Sequence, residues 1–200
     1  MIKYILAALA VVFTFNANAD VRVLKYSDSN RYFIEITGEI TRGDYDKFWN
    51  IVNNRQGLSD LVDLDSPGGD VWAAQQIANL ISSRDMNTRV WKNRMCASAC
   101  TDILVAGSDP IVYTSSRIGY HTGFVTDWQS HETRDDAYMW GQQDALQDAT
   151  HLLRYVPVGK EWEAILFMQR VYSRSNPAIM YWATGAELKE AGIISSVIHG

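Results

Sequence analysis

The chain has four prolines in 200 residues, two cysteines and no surplus of positive charge. Each scarcity excludes something. Four scattered prolines leave no proline-rich linker or stalk. Two cysteines with no histidine cluster beside them make a poor zinc site. A net charge of −5 argues against nucleic acid or an anionic membrane surface as the main partner. Long apolar runs are scarce too. Beyond Phe15 no segment approaches the roughly eighteen uninterrupted apolar residues of a membrane-spanning helix. Internal repeats and low-complexity tracts are missing, so one domain is expected.

What is present begins at the N-terminus. Lys3 supplies a short positive region, and Tyr4 to Phe15 is apolar except for Thr14. Ala17-Asn18-Ala19 then fits the small-x-small cleavage rule. Residues 1–19 therefore read as a signal peptide and residues 20–200 as the mature domain, periplasmic or secreted; an uncleaved membrane anchor is the alternative. Without Lys3, 17 basic residues face 23 acidic ones, a net charge of −6. Seven tryptophans and ten tyrosines suit core and subunit packing.

Export changes how the cysteines read. Cys96 and Cys100 stand four apart, and an oxidising compartment favours a disulfide. The bridge requires the chain to bend between them so that the Cα and Cβ atoms come close. Two buried thiols are the alternative.

Strands alternate with helices. Val21–Lys25 and Tyr32–Ile36 read as strands around an Asp28-Ser29-Asn30 turn. Thr41–Asn54 reads as a helix and Leu61–Asp65 as a strand. Ser66-Pro67-Gly68-Gly69 is a turn, and Asp70 can cap a helix whose apolar stripe is Val71, Ala74, Ala78 and Ile81. Thr88–Trp91 follows as a strand, Lys92–Ala97 as a connection and Ser98–Ala106 as a helix. Ile111–Tyr113 and Arg117–Tyr120 are short strands. A polar helical stretch, about His131 to Arg154, precedes a helix over Glu161–Arg174. There Trp162, Ile165, Leu166, Met168 and Val171 suggest burial. Ala186–Ala191 closes on Gly192 as a C-cap before a last strand, Ile193–Ile198. The fold class is α/β.

The chemistry centres on Ser98. A serine hydroxyl is a weak nucleophile until a base takes its proton, and free N–H groups at a helix start favour developing negative charge. Ala97 and Ala99 leave room for a substrate carbonyl. Gly68 and Gly69 can present unobstructed N–H donors to an oxyanion. Both the glycine turn and Ser98 follow a strand and precede a helix, so they can face each other at one sheet edge. His121, at a strand end, is the best base of four histidines. His131 and His151 fall on the polar helix, where solvated positions are expected, and His199 is near the C-terminus. Taken singly, a glycine turn, an N-cap serine and one histidine are each ordinary structural features.

Their order is not ordinary. Gly38-Glu39-Ile40, Asp65-Ser66-Pro67-Gly68-Gly69, Ala97-Ser98-Ala99, Val105-Ala106-Gly107-Ser108 and Ser116-Arg117-Ile118-Gly119-Tyr120-His121 follow one another in this chain. Gly185-Ala186-Glu187-Leu188-Lys189-Glu190-Ala191-Gly192-Ile193-Ile194 closes it. This series resembles the Clp protease proteolytic subunit, ClpP, within the ClpP/crotonase superfamily, over about Gly38 to Ile198. The resemblance implies a spiral of β-β-α units with a protruding helical segment near His131–Arg154 that mediates assembly. It implies Ser98 as nucleophile, His121 as general base, and the backbone N–H groups of Gly68 and Ala99 as the oxyanion hole. It also implies a homo-oligomer acting on peptides or unfolded protein, with no cofactor and no metal.

Three departures accompany it. The family orients its histidine with an aspartate shortly before the last helix, and here that position holds Met180. Asn176 could take the role, with Asp127 and Asp102 as further candidates. Cysteines flank Ser98. An exported chain also lacks ATP, so no ATP-driven unfoldase partner is expected. The leading expectation is an exported serine peptidase. The alternatives are a catalytically decayed relative that binds peptides or assembles, and an acyl-CoA enzyme of the crotonase type, whose thioester cofactors are not expected outside the cytoplasm.

Overall fold

The computed structural model describes residues 19–122, 146, 149–176 and 178–199. Most of the expected signal peptide and of the protruding segment therefore lies outside the described residues.

Alternation builds the first layer. In β1 (Asp20–Lys25), β2 (Tyr32–Thr37) and β3 (Leu58–Asp65) successive side chains turn to opposite faces. Ile34 and Ile36 pair in register with Val62 and Leu64, and all four are buried. Glu35 pairs with Asp63 on the other face. Arginines from the adjacent strands answer these carboxylates. Arg22 Nη2 lies 2.5 Å from Glu35 Oε2, and Arg89 of β4 (Asn87–Val90) donates two 2.7 Å hydrogen bonds to Asp63. With β6 (Ile111–Tyr113) and β9 (Ser196–Ile198) the sheet has six strands in the order β1-β2-β3-β4-β6-β9. Only the β1–β2 pair is antiparallel.

Parallel neighbours need crossovers, and helices supply them. Helix α1 (Asp44–Asn54) begins three residues later than the sequence pattern suggests. The reason is a local closure: the Thr41 backbone N–H and hydroxyl both donate to Asp44 Oδ2, at 2.6 and 2.7 Å. Helix α2 (Val71–Ser83) starts as expected, with Asp70 Oδ1 accepting from the Ala73 N–H at 2.7 Å. Its buried face is Ala73, Ala74, Ile77, Ala78 and Ile81, while Val71 is exposed.

A second sheet holds β5 (Met95–Ala97), β7 (Arg117–Tyr120) and β8 (Tyr181–Ala183), in the order β5-β7-β8. Met95–Ala97 had the look of a connection. It is a strand because it pairs in parallel with β7, Met95–Ala97 against Arg117–Gly119, while a single bridge from Ser66 meets its other edge: Ser66 N–H donates to Met95 O at 2.7 Å, and Ala97 N–H donates to Ser66 O at 3.0 Å. Helix α3 (Cys100–Val105) is buried along its whole length, and Thr88 Oγ1 donates to Leu104 O at 2.6 Å from the strand beneath.

Helix α4 (Glu161–Arg174) has the expected bounds, and of the five positions expected to be buried Met168 and Val171 are. Ala164, Phe167, Met168 and Val171 are inside, whereas Trp162, Ile165 and Leu166 are exposed. Positions 164, 167, 168 and 171 recur at helical spacing and meet the core, which puts 162, 165 and 166 on the opposite side. Helix α5 (Gly185–Glu190) carries a capping box between Thr184 and Glu187, and Gly192 follows it at φ +71°.

Candidate functional site

Ser98 sits between β5 and α3 with φ +54°, a left-handed conformation that is rare outside glycine. Three hydrogen bonds hold it there. Its N–H donates to Gly119 O at 2.9 Å, and its carbonyl accepts from both the N–H and the hydroxyl of Thr101 at 2.8 Å. A disulfide brackets the bend: Cys96 and Cys100 are joined, both fully buried, with Cα atoms 5.3 Å apart. The sharp elbow is what brings the two sulfurs together, and it leaves Ser98 half-buried at the rim of a cleft.

The glycine turn packs directly on this elbow. A Cβ on Gly68 would stand 2.7 Å from Ser98 Cβ and 2.9 Å from Ala99 N. No other residue could occupy that position without displacing the serine. The two glycines differ in their amides. Gly68 is buried and its N–H donates to Ser66 Oγ at 3.0 Å. Gly69 is exposed, and among the described residues nothing accepts from its N–H. Its backbone is bridged to Ile40 by neighbouring groups: Ile40 N–H donates to Gly68 O at 2.7 Å, and Asp70 N–H donates to Ile40 O at 2.8 Å. The Ala99 N–H likewise has no acceptor among the described residues.

His121 follows the last residue of β7 and lines the same cleft as Ser98, Gly68, Gly69 and Ala99. Its Nδ1 lies 2.7 Å from the carbonyl oxygen of Thr122. A carbonyl can only accept, so this contact selects the tautomer with the proton on Nδ1 and leaves Nε2 free to take one. No hydrogen bond joins Ser98 Oγ to the ring in this structure. Asn176 is used elsewhere: its Oδ1 accepts from the Ala178 N–H at 2.8 Å, within a local turn closed by Asn176 and Ile179. Met180 packs near Gly119, where an added Cβ would come within 2.9 Å of its sulfur. Asp127 lies outside the described residues.

The cleft has a volume of about 840 Å³. Asp102, one helical turn after Ser98, and Tyr120 also line it. His151 was expected at a solvated position; it is 4% exposed, with Nδ1 3.5 Å from Asp102 Oδ1. Helical residues 149–153 present it inward, and its ring stacks edge-on against Tyr155. Sequence reasoning named Asp102 only as a candidate for orienting His121, and missed the inward turn of His151 and the place of Tyr120. Burial, helped by the Asp102 charge, raises the Tyr120 hydroxyl far above its ordinary pKa, so it stays protonated.

These features define an α/β fold of two sheets with a serine elbow set against a glycine turn. It is the fold of ClpP protease structures. The chain is similar to a ClpP1 point mutant from Listeria monocytogenes, with 15% identity, a TM-score of 0.56, and coverage of 84% of this chain and 91% of that one. It is also similar to the ClpP protease catalytic domain from Plasmodium falciparum, with 18% identity, a TM-score of 0.57, and coverage of 84% and 85%. At these identities the likeness is one of fold. No family model and no curated protein matches the chain.

Proposed function

We propose that the chain is an exported, ClpP-like serine hydrolase that cleaves peptides. The observation that carries this reading is the left-handed Ser98 elbow sharing one cleft with His121, whose Nδ1 is already engaged by the Thr122 carbonyl. Ser98 Oγ attacks the substrate carbonyl while His121 Nε2 takes its proton. The tetrahedral oxyanion receives N–H groups from Ala99 and from the glycine turn. Gly69, whose amide is unengaged, suits the second donor better than Gly68, whose amide is held by Ser66. His121 then returns the proton to the leaving amine, and water repeats the sequence to release the acyl group. In this scheme the Thr122 carbonyl does the orienting that a carboxylate does in a Ser-His-Asp triad.

Export fits the N-terminal sequence and the disulfide, which persists in oxidising compartments. Without an ATP-driven partner the substrates are short or unfolded peptides. The exposed Trp162, Ile165 and Leu166 on α4 favour a homo-oligomer.

Purified protein treated with a fluorophosphonate probe tests the reading. Labelling that disappears in Ser98→Ala supports it, and no labelling of Ser98 in the native protein refutes it. One observation favours a non-catalytic peptide-binding module instead: the missing hydrogen bond between Ser98 Oγ and His121. Catalytic hydrogen bonds are often long without substrate, which is why the hydrolase reading stands first.

A further inference from the structure

Asp102, in the first turn of α3, is 7% exposed, Tyr120, the last residue of β7, is 5% exposed, and both line the cleft that holds Ser98. Among the described residues neither oxygen of the Asp102 carboxylate accepts a hydrogen bond. Its nearest polar neighbour is His151 Nδ1, at 3.5 Å and out of hydrogen-bonding alignment. Tyr120 Oη, though buried, also has no partner. Buried polar groups are normally satisfied, and a buried carboxylate is normally paired. The open Tyr120 hydroxyl, and a carboxylate at the cleft wall whose one polar neighbour is His151, indicate a ligand that completes them.

The rest of the cleft narrows the chemistry of that ligand. Leu152 and Met168, both buried, line it beside Asp102 and offer an apolar wall. Of the described charged residues around it, Arg42 is taken up by Asp70, 3.6 Å away, and by the Trp72 ring. Among the described residues no lysine or arginine meets Glu39 or Asp102, whose one basic neighbour is His151, and the cleft carries an excess of carboxylates. An aliphatic stem with a cationic tip matches an apolar wall that ends at a carboxylate and a hydroxyl oxygen.

Resting on the hydrolase reading above, we propose that Asp102 and Tyr120 form a specificity site that selects a basic side chain, lysine or arginine, on the residue whose carbonyl Ser98 attacks. The side chain lies along Leu152 and Met168. Its nitrogen donates to the Asp102 carboxylate and to Tyr120 Oη. His151 stands beside Asp102, with Nδ1 3.5 Å from the carboxylate.

The test uses peptide phosphonates that differ only at this side chain: lysine, arginine and norleucine, the last an uncharged counterpart of lysine. The rate of covalent labelling at Ser98 is the readout. The lysine or arginine probe is expected to label about tenfold faster than the norleucine probe. In Asp102→Asn that ratio falls to within about threefold, because an amide cannot pair with the cation as a carboxylate does. Tyr120→Phe gives the ratio independently if Asp102→Asn fails to fold, and a partial fall is expected there. If fluorophosphonate labels Ser98 while norleucine matches or outpaces the basic probes, the specificity site is overturned and the hydrolase stands. A ratio that survives both substitutions overturns the site as well. If fluorophosphonate does not label Ser98, both readings fall.

Discussion

His121 Nδ1 meets the carbonyl oxygen of Thr122, its own neighbour in sequence, at 2.7 Å. The ring is thus oriented by backbone. The side chain at 176 is engaged in a turn of its own. Asn176→Ala is therefore expected to change kcat/KM by less than about threefold, whereas an amide that orients a catalytic histidine costs far more when removed. Steady-state kinetics on a fluorogenic peptide check this. A loss of two orders of magnitude would assign the orienting role to Asn176.

The Cys96–Cys100 disulfide closes a short loop around Ser98. Removing such a small loop's constraint is expected to cost about 2 kcal/mol of stability on the chain-entropy view. The Ser98 elbow should loosen at the same time. Reduction under native conditions should lower both the melting temperature and the rate of fluorophosphonate labelling. A fall in the first without the second would confine the bridge to a stabilising role.

Gly69 has φ +141°, and a Cβ there would stand 2.1 Å from the Ile40 carbonyl oxygen. Backbone cannot yield as a flexible side chain can. Gly69→Ala should destabilise the protein by about 3 kcal/mol, adding a collision to the cost of the conformation. Gly159 has φ +91° with nothing within 4 Å of its added Cβ. Gly159→Ala should cost only about 1 kcal/mol. Chemical denaturation of the two variants checks the contrast, and equal losses would show that the approach to Ile40 does not matter.

Glu187 links α5 to its surroundings. Burial pushes its carboxyl pKa up, but hydrogen bonds from the Tyr181 hydroxyl, the Thr184 N–H and hydroxyl and the Arg170 guanidinium outweigh it, and bring the pKa from 4.5 down to about 2. A lowered folded-state pKa stabilises above the unfolded value and is lost on acidification. Stability from Glu187 is thus fully present above pH 4.5 and disappears as pH falls toward 2. Melting curves of the native protein and Glu187→Gln should differ above pH 4.5 and converge on acidification. A gap independent of pH would exclude ionisation as its cause.

Much of the fold was legible before any coordinates. The alternation in Tyr32–Thr37 and Leu58–Asp65 dictates a sheet with one apolar face, since strand geometry forces every second side chain the same way. Asp70 marks the start of α2 because its side chain reaches a backbone N–H within one turn. These are local consequences, and local chemistry suffices for them. The motif order that named Ser98 and His121 was legible for the same reason: the residues themselves carry the signal.

Three features required the tertiary structure. Met95–Ala97 is a strand only because Arg117–Gly119 of β7 arrives to pair with it. The buried face of α4 is set by where the core lies, so Phe167 turns in while Trp162 and Leu166 turn out, although all are apolar. The burial of His151 beside Asp102 is the clearest case, as its sequence surroundings are polar. Periodicity reports which residues share a face, and only the packing of distant segments decides what that face meets. The amino-acid sequence by itself determined the sheet's two-sided character, the start of α2 and the serine and histidine at the cleft. The tertiary structure alone decided what surrounds them, because those contacts join residues dozens of positions apart and leave no local trace.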